Sequence, residues 1–201
     1  MAGDVLFFGG LFVLSIFFGR LFCGWCCPAG ALQDYCMTVN NKPANNKRNW
    51  IKMALFIPWI FFFLMLILFF GGFKNIDFFY KRAFGIPIIG LGEWIMYFMT
   101  VFLILILALL SGRRGFCHYL CWVSPFMIVG GKIIRLFKIP KMLLKTNPAL
   151  CNSCKVCTQL CPMSIPVHEL VKTGKIKHEE CILCFTCSDS CSKRVIRLSF
   201  E

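Results

Sequence analysis

Eight cysteines near one end of a 201-residue chain fall into two runs of one spacing: Cys151, Cys154, Cys157 and Cys161, then Cys181, Cys184, Cys187 and Cys191. Each run reads C-x2-C-x2-C-x3-C, the spacing at which a chain holds a pair of 4Fe-4S clusters. A short turn with a cysteine at every third position aims three thiolates at three corners of one cube. The fourth corner comes from the other run. One expected ligand set is therefore Cys151, Cys154, Cys157 and Cys191, and the other is Cys181, Cys184, Cys187 and Cys161. Pro162 follows Cys161 as the motif requires, whereas Ser192 stands in the equivalent place after Cys191. Zinc ribbons and disulfide frameworks also use paired cysteines, but neither explains a third cysteine in each run or an x3 spacing that occurs twice.

Four further cysteines form two C-x3-C pairs, Cys23 with Cys27 and Cys117 with Cys121. The pairs share their surroundings: Gly19-Arg20-Leu21-Phe22 precedes one, Gly112-Arg113-Arg114-Gly115-Phe116 precedes the other, and Trp25 and Trp122 lie close by. This reads as an internal repeat of a helix followed by a cysteine turn. Two such turns brought together offer four thiolates, enough for a third iron–sulfur centre. Redox-active thiol couples, another metal, or cysteines acting as small apolar residues are the alternatives. Cys26 is a substitute for Cys27 as ligand, and Cys36 is expected to be simply buried. His118, inside the second turn, is expected to tune a centre by hydrogen bonding or to pack beside it, with proton uptake as the alternative role. His168 and His178 read as surface residues.

These residues need elements to position them, and the composition names the solvent. Hydrophobic residues make up 58% of the chain and phenylalanine alone occurs 23 times, which points to a membrane protein with a small hydrophilic tail. Thiols gathered into cluster motifs must stay reduced, so the cysteine-bearing side is expected to face a cytoplasm. The formal charge of +13 does not argue for nucleic acid, because the cations flank apolar spans and tetrathiolate clusters add uncounted negative charge. The first apolar run carries Asp4 and no basic segment before it, so no cleavable signal peptide is expected.

Three transmembrane helices are expected, at Asp4 to Phe22, Ile51 to Phe70 with Pro58 inside it, and Trp94 to Leu110. Lys42, Lys47, Arg48 and Lys52 mark the loop after the first cysteine turn as cytoplasmic. From Gly71 to Gly92 the chain reads as an outer loop with an interfacial or re-entrant piece, and Asp77, Tyr80 and Glu93 as interface residues. Trp122 to Lys145 carries basic residues at steps of three or four, as a segment lying along the inner surface would, or a solvated helix face that joins two domains. Three spans place both cysteine turns at one membrane face. The expected domains are 1–121, transmembrane with two C-x3-C turns; 122–146, a basic interfacial linker; and 147–201, a ferredoxin domain with two 4Fe-4S clusters.

The run from Gly19 to Gln33, the later Cys117-x3-Cys121 and the paired cluster motifs together resemble the membrane-bound polyferredoxins of the NapH, NosR and CcoG type. The resemblance implies an α-helical membrane protein with a C-terminal α+β two-cluster bacterial-type ferredoxin domain. It implies a multi-pass protein of a prokaryotic cytoplasmic membrane, with the ferredoxin domain on the cytoplasmic side. The implied function is electron relay between a quinone pool or membrane flavoprotein and a cytoplasmic ferredoxin-like or oxidoreductase partner, as part of a multi-subunit complex and not as a stand-alone enzyme. The alternatives are an assembly or metal-reducing factor for a metalloenzyme and a membrane-anchoring subunit of a larger oxidoreductase.

Overall fold

The computed structural model describes residues 2–69, 90–137 and 140–200. The expectations placed on Lys74, Asp77, Tyr80 and the rest of residues 70–89 lie outside the described residues. Helix α1 (Ala2–Phe18) stops where Gly19 adopts φ 57° and its amide reaches back to the Ser15 carbonyl at 3.0 Å. A left-handed residue just past the last turn is the usual glycine stop. The first span is therefore shorter than Asp4 to Phe22, and Leu21–Trp25 forms a separate one-turn helix, α2, that carries Cys23. Helix α3 (Pro28–Cys36) starts on a proline whose missing amide costs nothing at a first turn.

Helix α4 (Trp50–Phe69) runs through Pro58, and α5 (Leu91–Ser111) covers the third expected span. Among the described residues, α5 is the helix that is both long and apolar enough to cross a bilayer. Its side chains face outward along most of its length, as at Met96 (70% exposed) and Met99 (63%), and α4 likewise exposes Phe61 (64%) and Leu68 (75%). Apolar surface on that scale is what lipid or partner helices cover.

Helices α6 (Gly115–Tyr119) and α7 (Val123–Phe137) follow α5. Residues 122–146, expected as a basic linker on the inner surface, fold as α7 and the strand β1 (Met142–Thr146). Helix α7 packs along α1 so closely that a Cβ on Gly130 would collide with the Ser15 hydroxyl, the small-residue contact by which apolar helices approach. Phe126 of α7 stacks on Phe8 of α1 (5.7 Å between centroids) and meets Phe56 of α4 edge-on (4.7 Å). On the other side α5 supplies Ile104 to a small core with Phe116 and Cys121.

The C-terminal part holds three one-turn helices, α8 (Val156–Gln159), α9 (Val167–Val171) and α10 (Thr186–Asp189), with β1, β2 (Lys175–Ile176) and β3 (Ile196–Phe200). The strands form an antiparallel sheet of order β2-β1-β3. Its core is Leu144, Met163, Ile165, Val171, Ile176, Ile182 and Ile196, continuous with Leu11, Cys23 and Met127 from the helices. So few apolar residues make a weak core, and clusters in such a domain serve as staples.

Candidate iron–sulfur centres

The two C-terminal cysteine loops have one backbone shape. Ser153, Lys155 and Ser164 adopt φ of 59°, 61° and 50°, and thirty residues later Leu183, Phe185 and Arg194 adopt 50°, 62° and 49°. Non-glycine residues enter the left-handed region only where surroundings impose it. Left- and right-handed residues in succession turn several amide N–H groups toward one point, the nest that receives anions and iron–sulfur clusters. Cys161 belongs to the first run in sequence but lies among the second: one cavity is lined by Cys161, Cys181, Cys184 and Cys187. Cys157 instead interacts electrostatically with Cys154 and Cys151. Cys161 thus groups with Cys181, Cys184 and Cys187, four thiol donors of the kind that hold a tetrathiolate cluster.

The membrane-side turns repeat as well. In one, the amides of Cys26 and Cys27 both donate to the Phe22 carbonyl (2.9 and 3.0 Å); in the other, Leu120 and Cys121 both donate to that of Phe116 (3.0 Å each). The sulfur of Cys27 faces the amides of Gly30 and Ala29 at the start of α3, and that of Cys121 faces those of Ser124 and Val123 at the start of α7. Each second cysteine thus sits where helix N–H groups stabilise a thiolate. Cys23 lies within electrostatic reach of both Cys27 and Cys121, and Cys117 within reach of Cys121. Cys26 is exposed, and Cys36 is buried as expected.

Polar groups close around these turns. Fully buried Gln33 donates Nε2–H to the Cys117 sulfur at 3.2 Å and accepts from the amide of Phe116 at 3.0 Å. Arg114, 1% exposed, pairs through Nε and Nη2 with Asp34 and donates from Nη1 to the Cys23 carbonyl at 2.7 Å. Its repeat equivalent, Arg20, is 3% exposed and lies within electrostatic reach of Cys23 and Cys117. Burial pushes the Cys117 thiol up to about 12 and the Cys121 thiol up to about 11, against the pull of the arginines and amides. His118 is fully buried, with Nδ1 2.8 Å from Asn49 Oδ1, and burial lowers it to about 4. Held neutral, it fits packing and tuning better than proton uptake at neutral pH. His168 and His178 are half-buried, and His178 Nδ1 accepts the Glu180 amide at 3.1 Å.

A seam joins the helices to the ferredoxin-like part, and it runs along the loop bearing Cys181, Cys184 and Cys187. Glu180 receives Arg20 Nη1 and Lys52 Nζ at 2.6 Å each, all three residues buried. The Trp25 indole donates to the Leu183 carbonyl at 3.0 Å, and its ring lies 6.0 Å from that of Phe185. A Cβ on Gly24 would stand 2.5 Å from the Ile182 carbonyl oxygen. Gly24→Val is therefore expected to part the two halves, read as faster tryptic cleavage within 140–200 of the iron-loaded protein. Unchanged cleavage would show the approach to be slack. The polar loop adds Asn46, donating to the Ser164 carbonyl at 2.7 Å, and the Ala44 amide, donating to the Ser164 hydroxyl at 3.0 Å.

Arg20, Lys52, Glu180, Gln33 and Arg114 were not legible as site residues, although the two Gly-Arg steps of the repeat pointed at both arginines. Lys52 reads in sequence as a cytoplasmic charge marker, yet its side chain is spent on Glu180. Among the described residues, no three His, Cys, Asp or Glu side chains are gathered as tightly as a single metal ion would need.

Two family descriptions match. A 4Fe-4S binding domain covers residues 5–42 and 93–140, the two stretches with the C-x3-C turns, and a 4Fe-4S dicluster domain covers 143–192. The chain is 30% identical over 200 residues to an uncharacterized protein of Methanocaldococcus jannaschii, covering 94% of this chain and 75% of the relative. It is 26% identical to the putative electron transport protein YccM of Escherichia coli, covering 94% of this chain and 54% of the relative. It is 22% identical to the ferredoxin-type protein NapH of Haemophilus influenzae, covering 98% and 69%. No solved structure matches. With its repeated cysteine turns, its paired cluster loops and these relatives, the chain belongs to the membrane-associated ferredoxin-type electron transport proteins of the NapH and NosR kind.

Proposed function

We propose that this iron–sulfur electron-transfer protein is a multi-pass membrane relay. It moves electrons between a quinone or membrane flavoprotein and a cytoplasmic redox partner. The proposed anchor is three spans within 1–121, and the proposed carrier is the two-cluster domain. The observation that supports the reading is the close approach of the turn bearing Cys23 and Cys27 to the loop of Cys181, Cys184 and Cys187, with Gly24 against Ile182, while Cys121 lies within electrostatic reach of Cys23 and Cys117 within reach of Cys121.

When bound, an iron–sulfur cluster takes up and gives back one electron. The protein's own residues do the rest. The expected ligands are Cys151, Cys154, Cys157 and Cys191 for one cluster and Cys181, Cys184, Cys187 and Cys161 for the other, with Cys23, Cys27, Cys117 and Cys121 for a third. Arg20 and Arg114 neutralise thiolate charge at the membrane-side turns, and Gln33 orients Cys117. The seam residues Trp25 and Glu180 keep the halves in register. Thiols as buried as Cys117 and Cys121 are poor nucleophiles, which disfavours a thiol–disulfide couple, whereas metal coordination deprotonates a thiol outright.

The test is re-oxidation of pre-reduced protein in lipid nanodiscs by a membrane-soluble quinone, followed by visible absorbance under anaerobic conditions. Cys117→Ser is expected to slow it by at least about tenfold, because a buried centre links lipid and carrier domain. Re-oxidation of Cys117→Ser at the parent's rate would remove the membrane cysteines from the path.

A further inference from the structure

We propose that the basic groove beside β1 and β3, next to the loop that enters Cys151, is the docking surface for an acidic redox protein. This rests on the electron-transfer reading and adds the place and charge of the soluble partner. One ligand set lies against the helices. The loop of Cys181, Cys184 and Cys187 is covered by Arg20, Lys52 and Trp25, Ser164 is held by Ala44 and Asn46, and Arg113 reaches the Cys161 carbonyl at 3.4 Å. The other set is the accessible one: Cys154 is exposed, and Leu150, just before Cys151, is 51% exposed. A partner that exchanges electrons with this domain meets it there.

What it meets is positive. The strand register sets Lys145 opposite Lys175 on one side and opposite Arg197 on the other. Directly opposed residues of antiparallel strands project from one face, so three cations stand abreast, an arrangement that costs stability. Lys145 and Arg197 are exposed, and an open groove continues from them past Arg194 to Asn147 and Leu150. Lys145, Arg194 and Arg197 are the charged residues among the described ones that line it. Glu180 faces into the seam and Glu179 toward Lys132 at 3.2 Å. A surface of one sign beside a redox centre steers a partner of the other sign and raises its encounter rate.

The probe is a reduced flavodoxin, an acidic one-electron flavoprotein, mixed with the full-length, iron-loaded, oxidised protein in neutral-lipid nanodiscs. One electron passes from the flavin hydroquinone, leaving the semiquinone, and one cluster gains it. The expected rate falls steeply as salt rises. Arg197→Glu, which puts opposite charges across the β1–β3 rung and so leaves the fold intact, lowers the low-salt rate about tenfold and flattens the salt dependence. Arg194→Gln has a smaller effect of the same sign. Unchanged iron content and dithionite reduction establish that each variant is intact. A parent rate independent of salt, a parent that dithionite reduces but flavodoxin does not, or variants with the parent's rate would each overturn the proposal. So would variants that lose only their binding to anionic vesicles, which would make the groove a lipid surface. If the iron-loaded protein instead lacks any membrane-side centre, the relay reading fails while the groove result stands.

Discussion

Glu180→Ala is expected to lower the stability of the docked protein by about 3–5 kcal/mol, because it strands Arg20 and Lys52 in a buried seam without their shared carboxylate. Few single changes outside the ligands should cost as much. Burial favours the protonated acid, but Arg20 and then Lys52 outweigh it and hold the Glu180 carboxyl down at about 2. The sign for pH follows. A carboxyl depressed in the folded state contributes stability that is complete above its ordinary value of 4.5, and that stability is lost as pH falls through about 2. The parent is therefore expected to keep its seam through mild acid, and Glu180→Ala to lack this acid-sensitive component. Thermal unfolding of iron-loaded protein in detergent, parent against variant from pH 7 to pH 3, checks both points. Replacing all three residues with apolar ones of similar size should recover much of the loss, since a buried ion triad is often matched by good packing. An unchanged midpoint for Glu180→Ala would mean that the seam is not a unit.

The second large effect concerns the membrane-side cysteines. Their sequence shows two C-x3-C pairs ninety-four residues apart, and the structure shows why that distance does not matter. Ile104 of α5 packs with Phe116, Gln33 bridges α3 to the second turn, and Arg114 is tied to both Asp34 and Cys23. On the proposed ligand set, losing Cys23 and Cys117 removes one ligand from each turn. A site with two of four thiolates does not hold a cubane cluster.

The C-terminal loops were the most legible part of the chain. A spacing rule fixes how thiolates meet, and Cys161 lies with Cys181, Cys184 and Cys187 as that rule requires. The membrane turns were legible as a repeat but not as a polar cage. Gln33 and Asp34 sit in an otherwise apolar stretch, and nothing in local sequence says that their partners lie some eighty residues on. The seam was the least legible element. Its cations and Glu180 are far apart in the chain, and charges near apolar spans read first as membrane-boundary markers. The end of α1 was misjudged because apolar residues continue to Phe22, while the left-handed φ of Gly19 ends the helix at Phe18. The strand β1 is hidden inside a basic segment, because five residues with a single lysine, Lys145, carry too short a pattern to set Leu144 apart as a core residue.

Iron content with low-temperature EPR, on anaerobically purified parent and on Cys23→Ser with Cys117→Ser, tests the central claim most directly. About twelve iron atoms per parent chain are expected, and about eight in the double variant with the loss of one cluster signal. About eight in both would contradict it, and would leave the membrane-side cysteines as thiols or as a site for another metal.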